Sequence, residues 1–357
     1  MGTAQATGLE VVLEGTAFER GVQHGRLLGE PIRHFLADNL AQINSLRSRP
    51  LDADKLPALV LPYRQVIAQY LPEIMEELEG LAQGAGIQTD EAVLLQVRRE
   101  LIGTGSFTLL GDCSSLARYT QEEVVLAQTI DLNGNMTDIG RVFRIIPENK
   151  KKPEILMYSF AGLLGYMGMN SAGLAVTINL VVSGGWKAGI PPYLLVRKFL
   201  ECSTIEECLQ VVETIPVASS RSFTITDRRR QVILEITPET YRVTEGDQLL
   251  HTNHFLHPEL KSEDRMNIFS KNSSAKRLAL LGKKLGNDWS LQNIQAAFAD
   301  HTLHPVGICA HNESNIKLNE TVAAVIMYPR QGAFRALKGK ACTEKYQLFN
   351  LPINNNE

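Results

Sequence analysis

The sequence predicts an α+β protein in which helices and strands occur in separate blocks. The first hundred residues show mainly the periodicity of amphipathic helices, whereas short apolar stretches broken by Gly, Asn and Pro follow Gly105. We predict about ten strands and about six helices in all, without regular alternation. A doubly wound parallel sheet would alternate strand and helix, so the block order favours meandering sheets covered by helices.

Apolar periodicity predicts three helical regions near the N-terminus. Residues 18–46 are helical with an interruption at Pro31, because proline lacks an N–H and clashes with the preceding turn. Residues 63–81 carry a second amphipathic stripe. A third helix is expected over residues 90–102, with Thr89 as its N-cap.

Strands are predicted where apolar residues alternate or form short uninterrupted runs. Residues 9–15 alternate briefly and are expected at a sheet edge, and Asn133-Gly134-Asn135 is a tight-turn signal. The other predicted strands cover residues 114–119, 124–130, 141–146, 155–160, 174–182, 222–226, 231–236, 240–244, 322–328 and 333–337. Later helices are predicted over residues 192–200, 205–214, 275–285 and 291–298.

Composition and charge exclude several classes of protein. The 357 residues are 44% apolar and 21% charged, which is typical of a globular chain and not of a disordered or fibrous one. The net charge of -3 provides no attraction to nucleic acid or anionic lipid, so we expect neither nucleic acid nor membrane as a partner. No apolar run is long enough to span a bilayer, and residues 1–15 lack the features of a signal peptide.

The five cysteines do not form a recognisable framework. Their number is odd and no CxxC pair occurs, so neither a disulfide scaffold nor a cysteine-rich zinc site is expected. We therefore predict a reduced, cytoplasmic location, with no cofactor and no metal. The cysteines are Cys113, Cys202, Cys208, Cys309 and Cys342.

Cys113 is a candidate nucleophile because it lies between a loop of small residues and a predicted strand, within Gly111-Asp112-Cys113-Ser114-Ser115. A catalytic thiol needs a lowered pKa or an adjacent base, and no histidine lies nearby in sequence. A buried cysteine that acts as a small hydrophobe is the alternative. Asp131, at the end of the next strand, could orient a nucleophile or substrate, or simply open a turn.

Two further groups of residues allow more than one interpretation. Glycines near Asn170 do not match GxGxxG, so tight turns are favoured over phosphate binding. His251, His254 and His257 suggest a metal cluster, but odd offsets in a strand alternate between faces and no HExxH motif or flanking carboxylate cluster accompanies them. Asn253 lies between these histidines, and a side-chain amide at a strand end is a common oxyanion donor. Further histidines are His301, His304 and His311.

Taken together, these segments resemble the acyl-coenzyme A:6-aminopenicillanic acid (isopenicillin N) acyltransferase family of N-terminal-nucleophile hydrolases. The resemblance covers most of the chain and depends on the order and spacing of the motifs. It implies a single domain over residues 1–357 with a four-layer αββα fold, two mainly antiparallel sheets covered by helices. The matching segments are residues 19–25, the Cys113 region, Asp131, and residues 161–165, 168–174, 251–255 and 321–328.

The resemblance also implies roles for individual residues. Cleavage between Asp112 and Cys113 would release the nucleophile and divide the chain into residues 1–112 and 113–357. Asp131 matches the catalytic aspartate, Asn253 the oxyanion-hole asparagine, and Asn170 is a further candidate near the same pocket. Related cysteine enzymes also use an arginine in the last third of the chain, which the sequence around Cys309 does not provide.

These roles describe a self-processing amidohydrolase or acyltransferase. The α-amino group freed by cleavage would act as the base, since it titrates near neutrality. The expected partner is a small-molecule N-acyl amide or acyl thioester, while the oligomeric state, including a homo-oligomer, stays open. The alternatives are a metal-dependent hydrolase that uses residues 251–257 and a non-catalytic protein that retains the fold.

Overall fold

The computed structural model describes residues 5–38, 40–46, 50–103, 113–133, 135–304, 307–312 and 319–354. The α-helices in these ranges are α1 (Ala17–Ala37), α2 (Ile43–Leu46), α3 (Leu56–Tyr70), α4 (Pro72–Ala85), α5 (Thr89–Ile102), α6 (Met136–Ile139), α7 (Pro192–Phe199), α8 (Ile205–Thr214), α9 (Ile268–Leu285) and α10 (Leu291–Phe298). Short 3₁₀ helices span Ala53–Lys55 and Pro258–Glu263. Among the described helices, none has the length and apolarity to cross a membrane.

The strands of the same ranges form two separate sheets. They are β1 (Gln5–Thr7), β2 (Glu10–Gly15), β3 (Ser114–Tyr119), β4 (Val124–Asn133), β5 (Gly140–Pro147), β6 (Ile155–Phe160), β7 (Met167–Asn170), β8 (Ala175–Asn179), β9 (Arg221–Thr226), β10 (Gln231–Ile236), β11 (Tyr241–Glu245), β12 (Gln248–His251), β13 (Asn319–Tyr328), β14 (Ala333–Lys338) and β15 (Gln347–Asn350).

Within the described ranges, nine strands form one sheet in the order β1-β2-β5-β6-β7-β8-β9-β10-β11, and six form the other in the order β12-β3-β4-β13-β14-β15. Neighbouring strands are antiparallel except for β2 and β5, which are parallel. The two sheets face each other directly, because the Gln128 side chain on β4 donates to Ile178 O on β8 at 2.7 Å and accepts from Ile178 N at 3.0 Å.

Helices cover both outer faces of this pair of sheets. On the nine-stranded sheet, the ring of His24 in α1 lies 4.8 Å from that of Phe143 in β5, and Phe199 of α7 packs edge-on against Phe223 of β9. On the six-stranded sheet, α9 and α10 bury their apolar residues against β3, β4 and β13. This order of helices, sheet, sheet and helices confirms the predicted α+β class and its αββα layers.

The N-terminal helical layer depends on close contact between α1 and α4. A Cβ atom at Gly21 would lie 2.1 Å from Glu77 O, and one at Gly84 would lie 2.2 Å from Val22 O. Only glycine therefore allows the two helix backbones to approach this closely. Pro31 kinks α1 as predicted, with a non-helical backbone at Leu28, one turn before it.

Three predictions for the N-terminal half were wrong in detail. The predicted helix over residues 63–81 is divided between α3 and α4, because Pro72 begins a new helix and keeps Leu71 out of helical geometry. Gln88, rather than Thr89, is the N-cap of α5. The strand predicted at a sheet edge is β2, which lies between β1 and β5.

The turn predicted at residues 133–135 does not form a hairpin. It leads through α6 from β4 in one sheet to β5 in the other. Gly134 itself lies outside the described residues. After Asp131 the chain therefore leaves the six-stranded sheet and enters the nine-stranded one. The end of β4 lies between β3, which follows Cys113, and β13.

Candidate active site

Cys113 lies immediately before β3, between the two sheets. Its side chain is buried, with 4% exposed, and its carbonyl oxygen accepts hydrogen bonds from Arg277 Nη1 at 2.9 Å and Asn179 Nδ2 at 3.3 Å. Asp112, the other half of the predicted cleavage site, lies outside the described residues. Because both donors come from distant parts of the chain, the backbone at Cys113 is held by tertiary contacts.

Arg277 of α9 connects Cys113 to Asn253. Its fully buried guanidinium donates from Nη1 to Cys113 O and, at 3.0 Å, to Ser114 Oγ, and from Nη2 to Asn253 Oδ1, also at 3.0 Å. A planar fork with several donors can hold two groups in one fixed relation, which a point charge cannot. Arg277 is therefore a candidate for the arginine that the sequence did not reveal near Cys309.

Asn253 follows β12 and is anchored from three directions. Its backbone N–H donates to Ser274 Oγ at 2.7 Å, its Oδ1 accepts from Arg277, and its Nδ2 donates to Leu180 O at 3.0 Å. An amide nitrogen carries two hydrogens, so one hydrogen beyond that used by Leu180 is available as a donor. The predicted oxyanion donor is thus brought to the same buried region as Cys113.

Asp131 is brought to the Cys113 thiol through its backbone. Burial raises the pKa of the Cys113 thiol to about 12, and the Asp131 carboxylate adds to the rise. Three contacts oppose it: a hydrogen bond from Asp131 N–H, the charge of Arg277 and a hydrogen bond from the Gln128 side chain. The buried carboxylate accepts from Thr321 Oγ at 2.7 Å. In the uncut chain the thiol is therefore protonated near neutral pH.

Asn170 is not brought to Cys113. Its Nδ2 donates to the carbonyl oxygens of Leu200 at 3.0 Å and Cys202 at 2.6 Å, and its Oδ1 accepts from the backbone N–H groups of Ala172 and Leu174. These bonds hold the β7–β8 turn against the end of α7. The expectation that Asn170 lies near the pocket is not met, and its contacts describe a structural role.

Asn179 lies where Asn170 was expected. Asn170 ends β7, and Asn179 is at the end of β8, away from the turn that joins the two strands. Its Nδ2 donates to Cys113 O, and its Oδ1 accepts from Ser115 Oγ at 2.8 Å. Sequence analysis missed this residue, although a buried amide at the end of an apolar strand is a signal, since such groups require partners. Asn179 and Arg277 are the two residues that the structure adds to the site.

The histidines of residues 251–257 have other partners. His251 is buried, with Nε2 2.9 Å from Glu235 Oε1 and Nδ1 2.6 Å from Thr252 O. His254 Nδ1 lies 2.7 Å from Ser274 Oγ, and burial lowers the pKa of His254 to about 4. In the described part of the chain, the group with metal-ligand spacing is His301, His311 and Cys342, so these data do not favour a metal site at residues 251–257.

A small cavity opens next to Cys113. It has a volume of about 60 Å³, and its walls contain three arginines together with Tyr166, Tyr193 and aliphatic side chains. Small-molecule pockets usually measure ~300–1,000 Å³, so this cavity is smaller than a typical ligand pocket. The arginines are Arg98, Arg99 and Arg221.

Comparison with known proteins connects this site with a family. The family model described as acyl-coenzyme A:6-aminopenicillanic acid acyl-transferase matches residues 119–337, more than half of the chain. The chain belongs to this family. The matched range includes Asp131, Asn179, Asn253 and Arg277, whereas Cys113 lies six positions before it, 119 minus 113.

Two curated relatives cover most of the acyltransferase-family chain. The 40 kDa form of acyl-coenzyme A:6-aminopenicillanic-acid-acyltransferase from Emericella nidulans is 25% identical over 310 residues, covering 84% of each chain. Beta-alanyl-dopamine/carcinine hydrolase from Drosophila melanogaster is 26% identical over 310 residues, covering 75% of this chain and 76% of its own.

Solved structures show a weaker likeness. Penicillin V acylase from Agrobacterium tumefaciens has a TM-score of 0.43 at 12% identity and covers 67% of this chain and 86% of its own. A variant of conjugated bile acid hydrolase from Clostridium perfringens has a TM-score of 0.46 at 12% identity and covers 68% of this chain and 99% of its own.

Proposed function

We propose that this protein is a self-processing cysteine amidohydrolase or acyltransferase with Cys113 as its nucleophile. The observation that carries the proposal is the Arg277 fork, which joins Cys113 O to Asn253 Oδ1, while Asp131 N–H approaches the thiol from β4, the neighbouring strand of the same sheet. A structural cysteine requires no such convergence of buried polar groups. Burying them without function would only add desolvation cost.

The first step is cleavage of the chain before Cys113. The Cys113 sulfur attacks the Asp112 carbonyl carbon, an S–C bond forms, and the C–N bond to Cys113 breaks as its nitrogen takes the thiol proton. Water then hydrolyses the thioester, which yields a carboxylate on Asp112 and regenerates the thiol. The products are residues 1–112 and 113–357, and the new α-amino group lies on the same residue as the sulfur.

The second step is acyl transfer to the sulfur. The α-amine accepts the thiol proton, and the thiolate attacks the carbonyl carbon of an amide or thioester to form a tetrahedral oxyanion. Expulsion of the amine or thiol leaving group, which takes the proton, leaves an acyl-enzyme on Cys113. Water or a second amine then removes the acyl group, so hydrolysis and transfer share every step except the last.

In this proposal one side-chain amide supports the developing oxyanion and a second holds the nucleophile in place. Asn253 Nδ2 has one hydrogen beyond its bond to Leu180 O, and its orientation is fixed by Arg277. Asn179 Nδ2 donates to Cys113 O in the uncut chain and holds the residue that carries the nucleophile. Preorganised donors of this kind are effective because they need no rearrangement as charge develops.

The cavity favours a substrate with an anionic group. Arg98, Arg99 and Arg221 line it, and Glu100 offsets part of this charge, 3.6 Å from Arg221 Nη2. Burial lowers the pKa of Arg99 to about 10, so this arginine remains protonated at neutral pH. Burial also lowers the pKa of Arg98. A buried cationic wall is best satisfied by a carboxylate, which accepts charge-assisted hydrogen bonds.

The names of the relatives support both outcomes of the second step. One is named as an acyltransferase and the other as a hydrolase. We therefore include transfer and hydrolysis in the proposal, and a non-catalytic protein that retains the fold is the remaining alternative. The cytoplasmic location expected from the sequence stays a prediction.

Intact mass of the purified protein tests self-processing. Wild-type protein should yield pieces of 112 and 245 residues, 357 minus 112, the smaller being about 12 kDa by its share of 39.6 kDa. Cys113→Ala should remain uncut, whereas Cys202→Ala should be cut like wild type. A full-length mass for freshly purified, active wild-type protein would show that self-cleavage is not part of the mechanism.

A further inference from the structure

A second cluster of reactive side chains lies outside the proposed active site. His311 Nε2 is 3.3 Å from Cys342 Sγ and 3.6 Å from Cys309 Sγ. The ligand atoms of His301, His311 and Cys342 all lie within 4.8 Å of one another. Two thiols and two imidazoles thus converge, although they come from separate places in the chain.

Distant segments meet to form this cluster. His301 follows α10, Cys309 and His311 alternate along residues 307–312, and Cys342 follows β14. Cys309 N donates to Asp300 O at 2.9 Å, which fixes residues 307–312 against the end of α10. Because these tertiary contacts create the arrangement, a search for CxxC or HExxH spacing does not find it.

We propose that His301, Cys309, His311 and Cys342 form a binding site for a zinc ion. Zinc prefers thiolate and imidazole ligands in a tetrahedron, and bonds of about 2.0–2.3 Å place neighbouring ligand atoms about 3.6 Å apart. The two sulfur–nitrogen distances at His311 are 3.3 and 3.6 Å, already close to this value. His301 is exposed, so its ring can move the short remaining distance.

This proposal replaces the prediction that the chain has no metal site. That prediction depended on local spacing, whereas the ligands lie between two and 41 positions apart, 311 minus 309 for the nearest pair and 342 minus 301 for the most distant pair. A disulfide between Cys309 and Cys342 is the competing use of the same thiols. The position of His311 Nε2 within hydrogen-bonding distance of both sulfurs favours a metal, because a disulfide has no need for an imidazole there.

The cluster is connected to the active site by two hydrogen bonds. Ala310, between Cys309 and His311, donates from its N–H to Thr321 Oγ at 2.8 Å, and Thr321 Oγ donates to Asp131 Oδ1 at 2.7 Å. A metal that fixes residues 309–311 would therefore also fix the hydroxyl that orients Asp131. The site would act as a structural brace behind the active site and would take no direct part in the reaction.

Cobalt binding tests the proposal without any measurement of activity. The protein, carrying Cys113→Ala to remove the active-site thiol, is reduced, freed of metal with a chelator and titrated with Co²⁺. We expect one equivalent to bind with thiolate-to-cobalt charge-transfer bands and the visible bands of tetrahedral cobalt, and Zn²⁺ to remove both. Cys342→Ser and His311→Gln should each weaken binding at least tenfold.

The matched control is Cys202→Ser, which removes a thiol that lies outside the cluster and should leave the cobalt spectrum unchanged. His301→Gln changes an exposed residue, so a loss of affinity in this variant cannot be attributed to misfolding. Absence of thiolate–cobalt bands, equal affinity in the ligand variants and the control, or a Cys309–Cys342 disulfide in place of metal would each overturn the proposal. These results do not depend on self-cleavage or turnover.

Discussion

Replacing Arg277 should lower both the rate of catalysis and the stability of the fold, and a matched control allows the two effects to be told apart. The guanidinium donates to Cys113 O, Ser114 Oγ and Asn253 Oδ1 and is fully buried. Arg277→Lys keeps the positive charge but loses the fork, so one nitrogen cannot hold both Cys113 and Asn253 in register. Arg277→Met removes the charge as well.

The magnitudes follow from these contacts. Each acceptor left without a partner costs about 1–3 kcal/mol of folding free energy. Loss of one positioned oxyanion donor lowers kcat by about 10²–10³-fold, and we expect this loss in both variants because Asn253 is no longer held. Since the Arg277 charge also lowers the pKa of the Cys113 thiol, Arg277→Met should shift the rate–pH profile to higher pH, and Arg277→Lys should not.

The assay is single-turnover acyl-enzyme formation across a pH range, below the unfolding temperature of every variant. Arg20→Lys is the matched control, because it breaks a buried fork that joins α1 to Glu77 of α4 and to Gly15 O instead of to the Cys113 site. It should lose stability and retain the wild-type rate per folded molecule. An unchanged rate in Arg277→Lys, or an equal loss of rate in Arg20→Lys, would refute the positioning role of Arg277.

Two further predictions concern substrate choice and pH. Wild-type enzyme should prefer a glutaryl anilide over its uncharged pentanoyl counterpart by about 10–100-fold in kcat/KM, which is the effect of one charged hydrogen bond. Arg99→Gln should reduce that preference. An equal preference in both proteins would contradict a cationic subsite. Burial lowers the pKa of His24 to about 4, and its Nε2 accepts from Gly162 N–H. Between pH 6.5 and 4 the unfolded chain therefore binds more protons than the folded chain. The free energy of unfolding should fall by about 2 kcal/mol as the pH drops from 6.5 to 5. In urea unfolding experiments, the free energy of unfolding of His24→Gln should depend less strongly on pH.

Local patterns predicted much of the secondary structure. The strands 114–119, 155–160 and 231–236 and the helices 205–214 and 291–298 have the predicted bounds, because apolar runs and N-caps define them within a few residues. The start of α9 was placed seven residues late, at 275 instead of 268. Its first turns contain Ser and Asn, which favour caps and turns over helix interiors, and Asn267 is in fact its N-cap.

The partners of the nucleophile were harder to predict than the nucleophile itself. Arg277 lies within the part of α9 that was predicted, yet its contacts with Cys113 and Asn253 span 164 and 24 residues, so no local pattern marks it. Asn170 and Asn179 differ for a related reason. The β7–β8 hairpin reverses the chain between them, and Asn179, five residues after the turn at Leu174, is the amide that reaches Cys113.

The pKa of the nucleophile explains why self-cleavage and catalysis belong together in this proposal. A thiol pKa of about 12 in the uncut chain leaves about one molecule in 10⁴–10⁵ as thiolate near neutral pH. A free α-ammonium about 4 Å from the sulfur contributes about 4 kcal/mol at an effective dielectric constant near 20, or about three pKa units. The bond that is broken thus provides both the base and the charge that activates the thiol. A histidine would have to be brought into this buried region, whereas the α-amine is already attached to the nucleophile.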